Sequence, residues 1–324
     1  MDCQNSRRKL PSGCNSAEYG NIIHYMSNRI VSRILEGIPT EEGAGVKLSR
    51  LLGTPRLDYL DPFLLFDEFR SDNTEDFIAG FPEHPHRGFE TVTYLKRGKF
   101  HHRDSNGNEG LLEPGAVQWM TAGRGIIHSE MPEVSEGSLW GYQLWINLPS
   151  RLKMIEPHYQ DIPAESIPNV EWQGALVTVI AGDFHGSHGP AQPRFPVLYF
   201  DVELSPSSAF MHAVPPEMNC FCYLYEGALT AEPAERAGRV SADSGSGRLI
   251  ILDGGDSVAV KADSEKAGFL FVAGNRISEP LARAGPFVMN TREELYRTFE
   301  DYRSGRLANA KVMGPNDEET GRTR

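Results

Sequence analysis

Turn-forming residues recur at short intervals along most of this 324-residue chain. In the first half, turns containing glycine, proline or asparagine separate short apolar runs every 8 to 12 residues, with no convincing helical stretch between them. Short strands with this regular spacing are typical of antiparallel barrels and sandwiches. The spacing therefore predicts an all-β structure.

The second half of the sequence repeats the pattern of the first. The stretch TYLKRGKF (93–100) has a counterpart in CYLYEGALT (222–230), and LEPGAVQWM has one in LDGGDSVAV. A proline-rich connection between about residues 150 and 170 separates the halves, and such segments are extended rather than packed. We therefore predict two antiparallel β-barrels of similar design, over 29–155 and 170–290.

The end of the chain carries a helix signal. Thr291 and Glu294 have the spacing of a capping box, in which each residue bonds the backbone of the other, and apolar residues follow at helical spacing. This pattern predicts a short C-terminal helix over 291–306. The polar residues 307–324 are predicted to be a disordered tail.

Charge and composition limit the partners of the protein. A net charge of -12 and a pI of about 5.3 provide no basic surface for direct nucleic-acid binding. No run of 18 apolar residues predicts a membrane span, and residues 1–28, predicted to be a mobile extension, lack the apolar core of a secretory signal. Three basic residues from Arg7 leave nuclear import open. We expect a monomer in the cytoplasm, the nucleus or both, with Cys220 and Cys222 packed as reduced thiols.

Two short pairs of residues carry the strongest functional signal, namely His84 with His86 and His128 with Glu130. On a β-strand, residues two apart share a face and stand about 6 to 7 Å apart, so both members of a pair can reach one point. If the two strands lie face to face, three imidazoles and one carboxylate converge. This ligand set suits a transition metal and leaves coordination positions open.

The residue types indicate which metal such a site would hold. Three histidines and one carboxylate are closer to the ligand sets of non-haem iron enzymes than to the sulfur-rich sites of structural zinc. Iron(II) is therefore the first expectation, with one ion per chain, and Mn, Ni, Co or Cu are substitutes. In the second half, only His212 occupies a comparable place, so we expect the C-terminal barrel to be metal-free.

A second carboxylate competes for the same role. His84, His86 and Glu90 match the H-x-H-x3-E motif of cupin barrels, in which that glutamate is commonly a ligand itself. If Glu90 does not bind the metal, it would hold a ligand histidine by a hydrogen bond or lie unbound in the barrel. The residues alone leave the choice between Glu90 and Glu130 open.

Longer stretches around these residues identify a specific family resemblance. FPEHPHRGFETVTYL, PGAVQWMTAGRGIIHSEMP, GYQLWINLP and GPFVMNTREEL resemble the pirin family, whose members are two-barrel proteins of the cupin superfamily. The resemblance covers residues 30–308. It implies a bicupin fold with metal ligands at His84, His86, His128 and Glu130, and so favours Glu130 over Glu90. Ala116, where an aspartate is usual, is a small departure that touches none of these residues.

The resemblance implies two functions of different classes. One is a quercetin 2,3-dioxygenase activity, in which a flavonol and dioxygen are the substrates and the flavonol ring opens with loss of carbon monoxide. Glu130 would then be the catalytic residue, taking the 3-hydroxyl proton, with Glu90 as the alternative. The first barrel would supply the pocket, and its wall candidates are Phe81, Arg87, Trp119 and Met120.

The other implied function is a nuclear coregulator of transcription, which senses redox state through its iron and acts on transcription-factor partners without catalysis. The same four ligands serve both functions, so the motif does not choose between them. A metal-storing or vestigial cupin is a third alternative. We take the dioxygenase as the working expectation, because it makes a directly testable chemical statement.

Overall fold

The structure is a computed structural model that describes residues 27–133, 137–231, 239–241 and 247–308. The predicted mobile extension lies outside the described residues up to residue 26, and so does the predicted tail from residue 309 onward. Within the described ranges the chain is built almost entirely from β-strands, with short 3-10 turns and one α-helix near its end. The all-β prediction is confirmed.

The strands of the first half and the connection are β1 (Ile30–Glu36), β2 (Ile38–Glu42), β3 (Val46–Leu52), β4 (Phe63–Ser71), β5 (Phe81–His86), β6 (Phe89–Arg97), β7 (Phe100–Asp104), β8 (Glu109–Leu112), β9 (Val117–Thr121), β10 (Ile126–Pro132), β11 (Leu139–Asn147) and β12 (His158–Ile162). Those of the second half are β13 (Asn169–Trp172), β14 (Ala175–Ala181), β15 (Asp183–Phe184), β16 (Ser187–His188), β17 (Val197–Leu204), β18 (Ala209–Ala213), β19 (Met218–Glu226), β20 (Ala228–Ala231), β21 (Arg239–Ser241), β22 (Arg248–Asp253), β23 (Ser257–Ala262), β24 (Ala267–Asn275), β25 (Ala282–Ala284) and β26 (Phe287–Met289). The helix α1 spans Arg292–Arg303.

Each half is built from a seven-stranded and a four-stranded antiparallel sheet, as the internal repeat predicts. In the first half the sheet orders are β12-β9-β6-β11-β4-β3-β2 and β5-β10-β7-β8. In the second half they are β1-β22-β19-β24-β17-β14-β13 and β18-β23-β20-β21. The two halves are therefore similar barrels, and the predicted bicupin fold is confirmed.

One strand crosses between the halves, and a strand of the connecting segment adds to the first barrel. β1, the first strand of the chain, pairs with β22 of the second half, with Leu35 opposite Leu249. β12, which follows the first barrel, pairs with β9 of that barrel, with Gln160 opposite Trp119. The sequence limits 29–155 and 170–290 stay predictions, and the pairing shows that each sheet draws on chain beyond its own half.

The two large sheets pack against each other through one apolar core. Side chains from β4, β6 and β11 contact side chains from β17, β19 and β24, and aromatic rings dominate the contact. Phe66 lies at its centre, with ring-centroid distances of 6.0 Å to Tyr142, 5.5 Å to Phe221 and 5.2 Å to Tyr223. Burying this much aromatic surface makes the contact between the halves a principal source of stability.

Buried carboxylates complete this contact at its polar points. The Tyr223 hydroxyl donates to Glu68 over 2.6 Å, and the Tyr94 hydroxyl donates to Asp201 over 2.8 Å. Each bond joins a residue of one half to a residue of the other. Because buried polar groups must be paired, these bonds also fix how the sheets are placed against each other.

The C-terminal helix begins as its sequence signal predicts. The Thr291 side chain accepts a hydrogen bond from the Glu294 backbone N–H at 3.2 Å, and Glu294 accepts one from the Thr291 backbone N–H at 2.9 Å. The capping box is therefore present. Leu295 and Leu307 pack with Phe287 and Met289, so this segment is attached to the barrels. In the described residues no helix has both the length and the apolar character needed to cross a membrane.

The shared core makes a prediction about stability. Replacing Phe66 with alanine leaves a cavity between the two sheets, and we expect the free energy of unfolding to fall by about 3 to 5 kcal/mol. Urea denaturation followed by tyrosine and tryptophan fluorescence measures this change. Tyr296→Ala, at a residue 69% exposed on α1, is the control and should change stability by less than about 0.5 kcal/mol. Equal shifts for the two variants would contradict a stabilising role for this core.

Candidate metal centre

Three histidines come together on two neighbouring strands. β5 and β10 pair antiparallel, and the pairing places His84 directly opposite His128. One ring nitrogen from each of His84, His86 and His128 lies within 4.8 Å of the others, a separation at which one ion can contact all three. The two strands are hydrogen-bonded neighbours in one sheet, and the side chains of directly paired residues share a face, so the histidines meet without the strands facing each other.

The hydrogen bonding of these imidazoles suits metal binding. Nδ1 of His84 lies 2.8 Å from the Pro82 carbonyl oxygen. Since a carbonyl only accepts, Nδ1 is the donor in this contact, and Nε2 is the ring nitrogen left to face an ion. Among the described residues, both ring nitrogens of His128 and Nδ1 of His86 are buried without a hydrogen-bond partner. Buried polar atoms without partners are rare, and a bound ion would satisfy them.

The protonation state of His86 and His128 also suits metal binding. Burial lowers the pKa of His86 and His128 well below the usual range, and the neighbouring histidines lower the pKa further. Both rings are therefore neutral near pH 7, the form in which imidazole binds metals. The three-histidine group is able to hold a metal ion.

The turn after His86 is held by the end of the chain. The side chain of Arg87 is only 2% exposed and donates to the Arg124 carbonyl and to Asp301 of α1, the latter at 2.9 Å. Gly88 follows with φ +91°, and a Cβ there would lie 2.0 Å from the Val288 carbonyl oxygen. Only glycine fits this close approach. Contacts far along the sequence thus fix the position of His86.

Glu130 lies beside the three histidines but is not a member of their group. Its side chain is buried, and both of its oxygens accept hydrogen bonds. Thr93 Oγ1 lies 2.9 Å from one oxygen, and Gln143 Nε2 lies 3.3 Å from the other. β10 pairs with β7 in unbroken register from His128 to Pro132, so Glu130 lies on the same face of β10 as His128, and the irregular pairing between His128 and Glu130 reflects an extra residue on β5.

Glu90 lies on the opposite face of β6 from Thr93. It accepts a hydrogen bond from the Thr121 hydroxyl at 2.7 Å, and the backbone N–H of Arg194, from the second half, lies 3.3 Å away. Burial raises the pKa of Glu90 to about 7, although these hydrogen bonds lower it. Glu90 therefore faces the second half of the chain, away from the residue that contacts Glu130.

A cavity of about 580 Å³ opens beside the histidines. Its walls include His84, His86 and Glu130, together with apolar side chains such as Phe81 and Trp145. The volume is within the range of about 300 to 1,000 Å³ that is typical of sites for small ligands.

Of the predicted wall residues, only Phe81 lines this cavity. Arg87 instead contacts α1, Trp119 lies in the core between the halves, and Met120 packs with Ala122 and Ile126.

Comparison with known proteins agrees with this geometry. The pirin model matches residues 45–146, and the pirin C-terminal cupin domain matches residues 199–308. The chain belongs to the pirin family. A pirin-like protein of Caulobacter vibrioides is 46% identical over 286 residues, covering 87% of this chain and all of that protein. Human pirin is 41% identical over 267 residues, covering 82% of this chain and 89% of that protein.

A solved structure extends the comparison to an enzyme. The crystal structure of a quercetin 2,3-dioxygenase from Acinetobacter baumannii superposes on this pirin with a TM-score of 0.77 and 30% sequence identity. The match covers 87% of this chain and 99% of that chain. This pirin therefore shares its bicupin fold with a quercetin 2,3-dioxygenase.

Several residues of the site in this pirin were not predicted from the sequence. Asp67, Gln143 and Arg283 line the cavity, and Thr93 contacts Glu130. A signal does exist for two of them, because Asp67 and Gln143 interrupt the apolar strands FLLFDEF and YQLWIN. A polar residue inside an otherwise apolar strand requires a partner, and that requirement marks it as a candidate for a site.

The position of Glu90 makes a prediction about pH. Its pKa in the folded pirin is about 7, against 4.5 for an ordinary glutamate, so the folded state holds this proton more tightly than the unfolded state. Stability should therefore fall as the pH rises from about 4.5 to 7, by up to about 3 kcal/mol. Glu90→Gln should remove this loss, and the advantage of the variant at pH 8 should disappear below pH 4.5. Equal pH profiles of the unfolding midpoint for the variant and the parent would contradict the assignment.

The three-histidine group makes a second prediction. We expect about one metal ion per chain, and His128→Ala should weaken metal binding by at least about 100-fold, since it removes one of three ligands. His101→Ala is the matched control, because this histidine is exposed on β7 outside the group. Metal analysis after dialysis against a weak chelator measures both variants. Equal metal content in both would exclude His128 as a ligand.

Proposed function

We propose that this pirin is a metal-dependent dioxygenase of the quercetin 2,3-dioxygenase type, with iron(II) at the three-histidine group. The observation that carries the proposal is the cavity of about 580 Å³ whose walls include His84, His86 and Glu130. A substrate in this cavity would touch the metal site directly. The likeness to the Acinetobacter baumannii quercetin 2,3-dioxygenase supports the same reaction class.

His84, His86, His128 and Glu130 would hold the ion, as the family resemblance implies. Three neutral imidazoles and one carboxylate leave a divalent ion with net positive charge and open positions. When bound, the ion supplies Lewis acidity toward the flavonol oxygen and the redox chemistry toward dioxygen.

The side chains around the cavity would bind the substrate and accept its 3-hydroxyl proton. Phe81 and Trp145 offer flat apolar walls for the aromatic rings of a flavonol. Glu130 is the general base for the 3-hydroxyl proton, because it lies on the cavity wall and on the same face of β10 as His128. Glu90 does not take this role, because Thr121 and Arg194 hold it on the other face of the sheet.

Oxygen uptake with quercetin tests the proposal. Iron(II)-loaded protein prepared without oxygen should consume oxygen and release carbon monoxide when quercetin is added, and His84→Ala should show neither. Glu130→Gln should keep bound iron but lose at least about 100-fold in turnover, since it removes the base. His101→Ala should retain turnover.

The outcomes separate the competing functions. No turnover by the iron-loaded parent would contradict the dioxygenase proposal and return attention to the coregulator function. Equal turnover by Glu130→Gln and the parent would leave the dioxygenase proposal in place and exclude Glu130 as the base.

A further inference from the structure

Thr93 and Gln143 hold both oxygens of Glu130 at the edge of the metal site. We propose that these two residues are positioning residues that compete with the bound metal for the Glu130 carboxylate, so that Glu130 is a weak ligand that substrate can displace. The inference rests on the metal site assigned under the proposed function. It names the residues that control whether Glu130, the fourth ligand of that site, binds the metal.

The first step of the argument is the position of the carboxylate. Ligand atoms about 2.1 Å from one ion lie no more than about 4.2 Å from one another. The three histidine nitrogens lie within 4.8 Å of each other, which is close to this limit. Glu130 is not part of their group. In the proposed competition, the carboxylate turns toward the histidines to join them, and this movement lengthens its hydrogen bonds to Thr93 and Gln143.

The second step is the strength of those hydrogen bonds. Thr93 is 1% exposed and Glu130 is 3% exposed, so water has little access to replace a lost hydrogen bond. Hydrogen bonds to a buried carboxylate are stronger than those between neutral groups, and losing one is costly. The carboxylate therefore has two competing sets of partners, the two hydrogen-bond donors and the metal ion.

The third step is the position of Thr93 and Gln143 in the large sheet of the first barrel. Thr93 and Gln143 face each other across β6 and β11, in the middle of a row of polar residues that runs across six strands. The row contains Arg50, Asp67, Gln143, Thr93, Gln118 and Asp161 in register order.

The outer members of this row bond to each other. Arg50 donates to Asp67 at 2.7 and 2.9 Å, and Gln118 donates to Asp161 at 3.0 Å. The central pair is linked by the Thr93 hydroxyl and the Gln143 side-chain oxygen at 2.8 Å. Because a hydroxyl has one hydrogen, Thr93 bonds either Gln143 or Glu130 at a given moment. This exchange lets the pair release the carboxylate without leaving Thr93 unpaired.

Cobalt(II) titration tests the proposal without any substrate. The readouts are the dissociation constant and the visible absorption of bound cobalt, which changes with coordination number. The double variant Thr93→Val with Gln143→Leu removes both competing partners, so we expect cobalt to bind about tenfold more tightly with an altered spectrum. Thr93→Ser keeps the hydroxyl and should behave like the parent protein.

Two controls define the source of the effect. Thr91→Val makes the same change on the same face of the same strand, at a threonine that forms no hydrogen bond to Glu130 in the described part of the chain, and it should not alter cobalt binding. In a Glu130→Gln background the double variant should have no further effect, because the carboxylate is absent. If the double variant does not fold, Thr93→Val alone should tighten binding about threefold.

Weaker or unchanged cobalt binding in the double variant would overturn the proposal, because it would mean that the pair supports ligation or takes no part in it. A tightening that persists in the Glu130→Gln background would overturn it as well. The titration involves neither quercetin nor oxygen, so a failure of the dioxygenase proposal would be visible separately, as absent turnover with normal cobalt binding.

Discussion

The pairing of β5 with β10 is the interaction on which the metal site depends. Antiparallel register places His84 opposite His128, and the i, i+2 spacing adds His86 to the same face. A slip of β5 by one residue would turn His84 and His86 to the face opposite His128. The register is held from outside the pair, because Arg87 and Gly88, directly after His86, are packed against α1 and β26. The end of the chain thus helps to define the geometry of a site near its start.

The large sheet of the first barrel separates two kinds of chemistry by simple alternation. On β6, Thr93 points to the metal cavity, whereas Glu90 and Tyr94 point to the second barrel. One face carries the hydroxyl that bonds Glu130, and the other carries groups that bond residues of the second barrel. A single strand can therefore contribute to the metal site and to the core between the barrels, because successive side chains point to opposite faces of the sheet.

The sequence was informative where local spacing determines structure. Turn spacing predicted the barrels, the capping box predicted α1, and the pairs His84 with His86 and His128 with Glu130 predicted that three histidines come together. Local spacing could not decide what depends on residues far apart in sequence. Arg87 was assigned to the cavity wall, but its partner Asp301 lies more than 200 positions away. The roles of Thr93 and Gln143 likewise depend on the pairing of β6 with β11, and the ligand role of Glu130 stays a prediction.

The pairing of β1 with the second barrel has a consequence for how this protein can be divided. β1 completes the large sheet of the second barrel, although it comes first in the chain, and β12 completes that of the first. A cut in the connecting segment after β12 would leave the second barrel without its outermost strand, with the backbone groups of β22 open to pairing with other molecules. Expressed alone, such a fragment would be prone to aggregate. A gene for the second barrel would therefore have to be built by circular permutation, with β1 moved to the new fragment, rather than by truncation.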